Sequence, residues 1–151
     1  MRILLTGVAG FIGFHLAKAL NKGQHDVLAI DNLNDYYNPT LKTDRIEALG
    51  NPENFTFRQV DIVDPIALAE AIGDFSPQIV IHLAAQAGVR YSLVNPGAYA
   101  DSNVRGQINL LELARSFEGL EHFIYASSSS VYGQRGDGPF RESDPCDDPV
   151  S

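Results

Sequence analysis

The sequence predicts an α/β fold built on a doubly wound, mainly parallel sheet. Three observations predict it: short apolar runs alternate with stretches of helical period, the first run breaks at a turn of three glycines, and no internal repeat interrupts the alternation. Crossovers between parallel strands are right-handed, so such alternation winds helices onto both faces of one sheet. At 151 residues, 44% of them hydrophobic, the chain can bury one core and leaves no room for a second domain.

The elements follow in order. Strands are expected at Ile3 to Thr6, Val27 to Ile30, Phe55 to Val60, Ile79 to Leu83 and His122 to Ala126. Between them the period lengthens, predicting helices near Phe11 to Asn21, Pro39 to Leu49, Pro65 to Phe75 and Ala98 to Phe117. In the first helix Ile12, Leu16, Ala19 and Leu20 make the expected inner face, and in the last Ile108, Leu111 and Ala114. Residues 1–133 form the expected domain. From residue 134 to 151 the chain turns to Gly, Pro and acid, with few apolar anchors, which reads as a long loop or mobile tail. The tripeptide Arg135-Gly136-Asp137 within it, an adhesion signal elsewhere, is best explained by chance in an acidic loop.

The segment Arg2-Ile-Leu-Leu-Thr-Gly7-Val-Ala-Gly10-Phe-Ile-Gly13 carries the most chemistry. In a strand-to-helix turn of this spacing, Gly7 swings the chain, Gly10 admits a ligand against bare backbone, and Gly13 lets helix and strand touch. The helix amino end then offers free N–H groups to an anion. About 20 residues beyond the turn, Asp31 closes the next apolar run, where a ribose-binding carboxylate belongs. A carboxylate there opposes the extra phosphate of NADP by roughly 4 kcal/mol at close range, so the pattern points to NAD. The plainer alternative, a loop of glycines with Asp31 capping the next turn, accounts for each part but not for their joint placement.

A net charge of -8, with scattered Lys and Arg, excludes a nucleic-acid or anionic-membrane partner. No apolar run approaches membrane-spanning length, and Met1 leads straight into the first strand without room for a signal peptide. Cys146 is the sole cysteine, so no internal disulfide forms and a cytoplasmic setting is expected. His15, His25, His82 and His122 lack metal-ligand spacing, so no metal is expected.

Ligands of an open parallel sheet lie beyond the strands' carboxyl ends. Those ends carry Thr6-Gly7, Asp31-Asn32, Asp61-Ile62, Ala84-Ala85-Gln86 and the run Ser127 to Ser130. Asp61 either accepts from an adenine amino group, with Ile62 against the ring, or caps the helix that starts at Pro65. Ala84 and Ala85 lack bulk and would let a dinucleotide pass. The serines are either a linker or a source of hydroxyls for a substrate alcohol or carbonyl, and none stands in a G-x-S-x-G elbow. His82 reads as a satisfied structural residue.

These stretches, together with His82-Leu-Ala-Ala-Gln-Ala-Gly-Val-Arg-Tyr-Ser92, Asn95-Pro96, Ser102-Asn103-Val104 and Ser127-Ser-Ser-Ser-Val-Tyr-Gly133, resemble the extended short-chain dehydrogenase/reductases, a Rossmann-type family. Within it the chain is similar to the nucleotide-sugar epimerases, and Asp31 to Tyr37 and Gln86 to Ser92 look most like the UDP-glucuronate 4-epimerases. The resemblance implies that Gly7, Gly10, Phe11, Ile12 and Gly13 hold the NAD pyrophosphate, Asp31 and Asn32 the ribose, and Asp61 and Ile62 the adenine. It assigns Leu83, Ala84, Ala85, Gln86, Ser102 and Ser127 to the nicotinamide half. The family's catalytic Ser/Thr falls on Ser128, three positions before the Val of Val-Tyr-Gly, with Ser129 beside it. Gly88, Val89 and Arg90 match a sugar-side loop, where Arg90 either meets a carboxylate or phosphate or is an exposed loop arginine.

The activity implied is inversion at C4 of a UDP-sugar through a transient 4-keto sugar, in an enzyme expected to be a homodimer. One part of the family pattern is missing: no tyrosine of this chain has a lysine four residues on. A lone tyrosine, with a pKa near 10, is a poor base at neutral pH. The chain is therefore expected to be the amino-terminal, cofactor-binding portion of an enzyme about twice its length, without the substrate domain and inactive alone. A 4,6-dehydratase ranks lower, because Ser129-Ser130 stand where dehydratases carry Asp-Glu. A non-catalytic NAD-binding module is the other alternative.

Overall fold

The computed structural model describes residues 1–134, 138–147 and 149. The tripeptide Arg135-Gly136-Asp137 lies outside the described residues. Five strands, β1 (Arg2–Thr6), β2 (Asp26–Asp31), β3 (Phe55–Gln59), β4 (Ile79–His82) and β5 (His122–Tyr125), form one parallel sheet in the order β3-β2-β1-β4-β5. The order reverses between β1 and β4, where a crevice opens at the carboxyl ends.

Apolar strand runs bury both faces. Leu4, Leu28, Ile30 and Val80 pack on one side with Ile62, Leu68, Ile72 and Leu110, which places α3 (Pro65–Ile72) and α5 (Gln107–Ala114) there. Leu5, Val27, Ala29 and Phe55 pack on the other with Val8, Ala17 and Leu49, under α1 (Phe11–Leu20) and α2 (Pro39–Leu49). β1 is central, with Leu4, Leu5 and Thr6 fully buried, whereas β5 is an edge on which Ile124 and Tyr125 are half exposed. Among the described residues no helix is long and apolar enough to cross a membrane.

Three expectations are corrected by packing. In α1 the inner face is Gly13 and Ala17 with Phe14, Leu16 and Leu20 packed beside them, so Leu16 and Leu20 lie as expected while Ile12 and Ala19 point outward. The contact of Gly13 with the glycine turn sets the helix rotation, and that rotation turns Ile12 to solvent. α3 stops at Ile72 because Gly73 takes φ +49° and its N–H bonds back to Ala69 O at 2.9 Å.

The long helix expected over Ala98 to Phe117 is three pieces. Asn95 caps α4 (Pro96–Tyr99) through Ala98 N, a π-helical segment (Ala100–Gly106) widens the coil, and α5 follows. This stretch carries two apolar stripes, and sequence periodicity alone selects neither. Gly106 touches Ile62, whose Cδ1 lies 2.5 Å from where a Cβ would stand, so Gly106, Leu110, Leu113 and Phe117 face the sheet. Val104, Ile108 and Leu111 are left about half exposed. Two 3₁₀ turns, Val89–Leu93 and Ser129–Tyr132, follow β4 and β5.

Candidate functional site

The glycine turn is built by backbone proximity. Gly7 adopts φ +76°, and a Cβ there would stand 2.6 Å from Ala84 N, so β1 can pass β4 only with glycine at that position. At Gly13 a Cβ would lie 2.0 Å from Gly7 O. Gly10 starts α1 with no side-chain cap, which leaves the helix's first N–H groups without a capping partner, next to the exposed Phe11 and Ile12.

At the tip of β2 the carboxylate of Asp31 is buried and doubly engaged: Ala9 N–H donates to Oδ2 at 3.0 Å and Leu33 N–H to Oδ1 at 2.9 Å. The second bond forms an Asx turn that holds Leu33 at φ +53°, a left-handed conformation disfavoured for a branched side chain. Asn32 and Asn34 repeat the device, accepting from Asn34 N and Tyr36 N. Asp31 thus serves the turn, as the plainer alternative had it, and also lines the cleft.

Behind this loop α2 contributes residues that sequence reasoning missed. Lys42, only 5% exposed, donates through Nζ to Asn34 O at 2.7 Å and to Asn34 Oδ1, and stands 4.6 Å from the centroid of the Tyr37 ring. Burial lowers its pKa from the ordinary lysine value, while the carboxylates of Asp31 and Asp35 act in the opposite sense. Arg45 donates to Ala9 O at 2.8 Å and to the Tyr37 hydroxyl at 3.0 Å, and that hydroxyl also donates to Ala9 O. The ribose-side loop and the glycine turn are therefore clamped together. The available signal was the spacing of Lys42 and Arg45, three apart on one helix face.

Asp61 accepts from Asn32 Nδ2 at 2.9 Å and from Val63 N–H at 3.0 Å. The cap of α3 is Asp64, which accepts from Ile66 N and Ala67 N, so the capping alternative for Asp61 falls away. Ile62 is 5% exposed and mostly spent on the core against Gly106, presenting only an edge to the cleft. On the far side of the switch, Thr6 Oγ1 lies 2.6 Å from His82 Nδ1 and accepts from Ala84 N–H at 3.3 Å. Thr6 and His82 thus share one buried hydrogen bond across the β1–β4 pair, and the imidazole is neutral at pH 7. Burial pushes His82 down to about 4. It ties β1 to β4 as a structural residue.

Gly7, Gly10, Asp31, Asn32, Asp61 and Ile62 line a single cleft with Leu83, Ala84, Ala85 and Ser102, about 610 Å³ including its open mouth. Gln86 is outside it: Asn103 clamps its backbone, accepting from Gln86 N–H at 2.7 Å and donating to Gln86 O at 3.0 Å, and Gln86 borders a second hollow with Tyr36, Tyr91 and Asp101. Gly88 takes φ +89° against the Tyr36 hydroxyl, and Val89 and Arg90 lie exposed on the following 3₁₀ turn. Ser127, Ser128 and Ser129 are exposed and do not line the cleft; Ser128 caps its own 3₁₀ turn by accepting from Ser130 N–H at 3.2 Å.

The family model described as "NAD dependent epimerase/dehydratase family" matches residues 3–151. The chain belongs to this family. Among relatives of the NAD dependent epimerase/dehydratase family, it is 51% identical over 151 residues to "Protein CapI" of Staphylococcus aureus, covering all of this chain and 45% of that protein. It is 48% identical over 148 residues to the UDP-glucuronate 4-epimerase of Thermodesulfobacterium geofontis, covering 98% of this chain and 45% of that one. The crystal structure of the Bacillus cereus UDP-glucuronic acid 4-epimerase in complex with UDP-glucuronic acid and NAD superposes with a TM-score of 0.81 at 38% identity, over 94% of this chain and 44% of that chain. The chain thus spans about half the length of the relatives it matches.

Proposed function

We propose that this chain is the cofactor-binding portion of a UDP-glucuronate 4-epimerase and that it binds NAD in the cleft between the glycine turn and Asp31. The observation that carries the reading is the continuity of that cleft, which runs from Asp31 and Asp61 past Gly7 and Gly10 to Ala84 and Ala85 at the switch between β1 and β4. Its chemistry suits the cofactor at each end. The uncapped amino end of α1 offers N–H donors to the pyrophosphate beside Gly10, which carries no side chain to keep it away. Asp31, already held by two N–H donors, keeps lone pairs for the ribose hydroxyls. Asp61 and the edge of Ile62 stand where the adenine would lie, and Ser102 borders the other half.

When bound beside Gly10 and Asp31, NAD would supply hydride-transfer chemistry at sugar C4. This chain's share is to hold and orient. In our reading Ser128 keeps the 4-hydroxyl aligned once the rest of the enzyme covers it, and Gly88, Val89 and Arg90 border the sugar. The proton from that hydroxyl requires a Tyr-x-x-x-Lys pair, which the reading assigns to a longer polypeptide that also supplies most nucleotide-sugar contacts. A homodimer of that enzyme is part of the proposal, supported by the exposed stripe of Val104, Ile108 and Leu111. The exposed position of Ser128 accords with a site completed by further residues.

Two measurements test the reading. Calorimetric titration of this chain with NAD should show one site per chain, and absence of binding would remove the cofactor assignment. The longer polypeptide, given UDP-glucuronate, should form UDP-galacturonate; failure to interconvert any UDP-sugar would remove the epimerase assignment.

A further inference from the structure

The mechanism above makes no use of Lys42, although a lysine buried to this degree is rare unless its ammonium has a task. Its surroundings define one. An ammonium has three N–H donors, and Asn34 accepts from it at two atoms, its backbone O and Oδ1. Nζ lies against the Tyr37 face, and Lys42 lines the same cleft as Asp31. The Asp31 carboxylate is in turn surrounded by donors, Ala9 N–H on one oxygen and Leu33 N–H on the other. Backbone N–H groups converging from two loops, with a cation in the same cleft that feels the charge they hold, are what an anion-binding cup requires. Here the anion is the protein's own side chain.

We propose that Asp31 fills, with its own carboxylate, an anion cup whose cationic wall is Lys42, and that Lys42 receives the 2′-phosphate of a phosphorylated dinucleotide once that carboxylate is removed. Lys42 is then a specificity-determining residue. With Asp31 present its charge is offset and NADP meets net repulsion; with Asp31 absent the same ammonium, Ala9 N–H and Leu33 N–H face a phosphate instead. Asp31 excludes NADP by occupancy as well as by charge. This inference rests on the NAD site proposed above.

The test is calorimetric titration of NAD and NADP, in buffer free of phosphate and sulfate, into the wild-type chain, Asp31→Ala, Asp31→Ala/Lys42→Gln and Asp31→Ala/Lys42→Arg. Asp31→Ala should gain at least about tenfold in NADP affinity. Adding Lys42→Gln, which loses the charge but can still donate to Asn34, should reverse that gain by about tenfold while NAD affinity moves less than about threefold; Lys42→Arg should keep the gain. Lys42→Met serves as a second neutral variant should the amide disturb Asn34. No NADP gain in Asp31→Ala, a gain that survives both neutral variants, or parallel loss of both cofactors from both of them overturns the assignment of Lys42. A wild-type chain that binds neither dinucleotide overturns the underlying site instead, so the two failures are distinguishable.

Discussion

The loop after β2 and the serine segment after β5 lie at the carboxyl ends of the same sheet, yet they are held in different ways. After β2, Asp31, Tyr37 and Arg45 all reach Ala9 in the glycine turn, more than twenty positions away in sequence, and Asn32 crosses to Asp61. After β5, among the described residues the side chain of Ser128 bonds only to its near neighbour Ser130, through N–H and hydroxyl. Long-range ties fix the first region before any ligand arrives, so its geometry is a property of this chain. The second keeps its hydroxyls exposed, and its geometry depends on what comes to lie against it.

The largest effect expected from that contrast lies at Gly13. A Cβ there would stand 2.0 Å from Gly7 O, 2.8 Å from Gly7 C and 2.9 Å from Val8 Cα, all backbone atoms that cannot rotate away. Gly13→Ala should therefore cost about 3 kcal/mol or more, read from urea unfolding. A cost under about 1 kcal/mol would mean that helix and turn are not rigidly coupled.

His82 tests the floor beneath both regions. Its unfolded pKa is 6.5 and its folded value is about 4, because burial disfavours the cation. Between those values the unfolded chain binds more protons, so stability falls as pH drops from 6.5 towards 4 and is unaffected by this group above 6.5. The loss reaches about 3 kcal/mol and levels off below pH 4. Urea midpoints at pH 7, 5 and 4 should show this slope in the wild type and a flatter one in His82→Gln; parallel profiles would argue that the Thr6 to His82 bond opens in the folded state.

Asp31→Ala comes next. It orphans Ala9 N–H and Leu33 N–H and removes the ribose acceptor, so NAD affinity should fall by roughly thirtyfold, about 2 kcal/mol, in calorimetry. A change within threefold would mean that the β2 loop is ordered for its own sake.

The same contrast explains what the sequence disclosed. The central strands β1, β2 and β4 were legible because each holds a continuous apolar run, and Gly7 and Gly13 because close approach, joined at Gly7 by a positive φ, leaves no other residue type. Helix rotation was not legible: α1 and α5 each carry apolar residues on two sides, and the choice is made by one glycine touching another element, Gly13 on Gly7 and Gly106 on Ile62. The π-helical segment that carries Ser102 and Asn103 has no local composition signal either. Within the candidate site, residues at strand ends were found because topology places them there, whereas the spacing of Lys42 and Arg45 marks a basic helix face without naming Asn34 and Ala9 as its partners, and nothing local pairs Asn103 with Gln86.

Ser128→Ala should have the smallest effect on this chain and the most diagnostic one. Its hydroxyl is exposed and satisfies one N–H of a short 3₁₀ turn, so stability should change by no more than about 0.5 kcal/mol, and NAD affinity by less than about twofold. In the longer polypeptide that we propose to be an epimerase, the same substitution should lower kcat by at least about a hundredfold, with KM little changed, because in that reading the hydroxyl is aligned on the reacting oxygen and binds more strongly in the transition state than in the ground state. Silence in this chain with loss in the proposed longer polypeptide would separate a region that folds by its own bonds from one whose chemistry is assembled by others. A large stability loss in this chain would instead show that the serine segment is anchored more deeply than Ser128 and Ser130 alone provide.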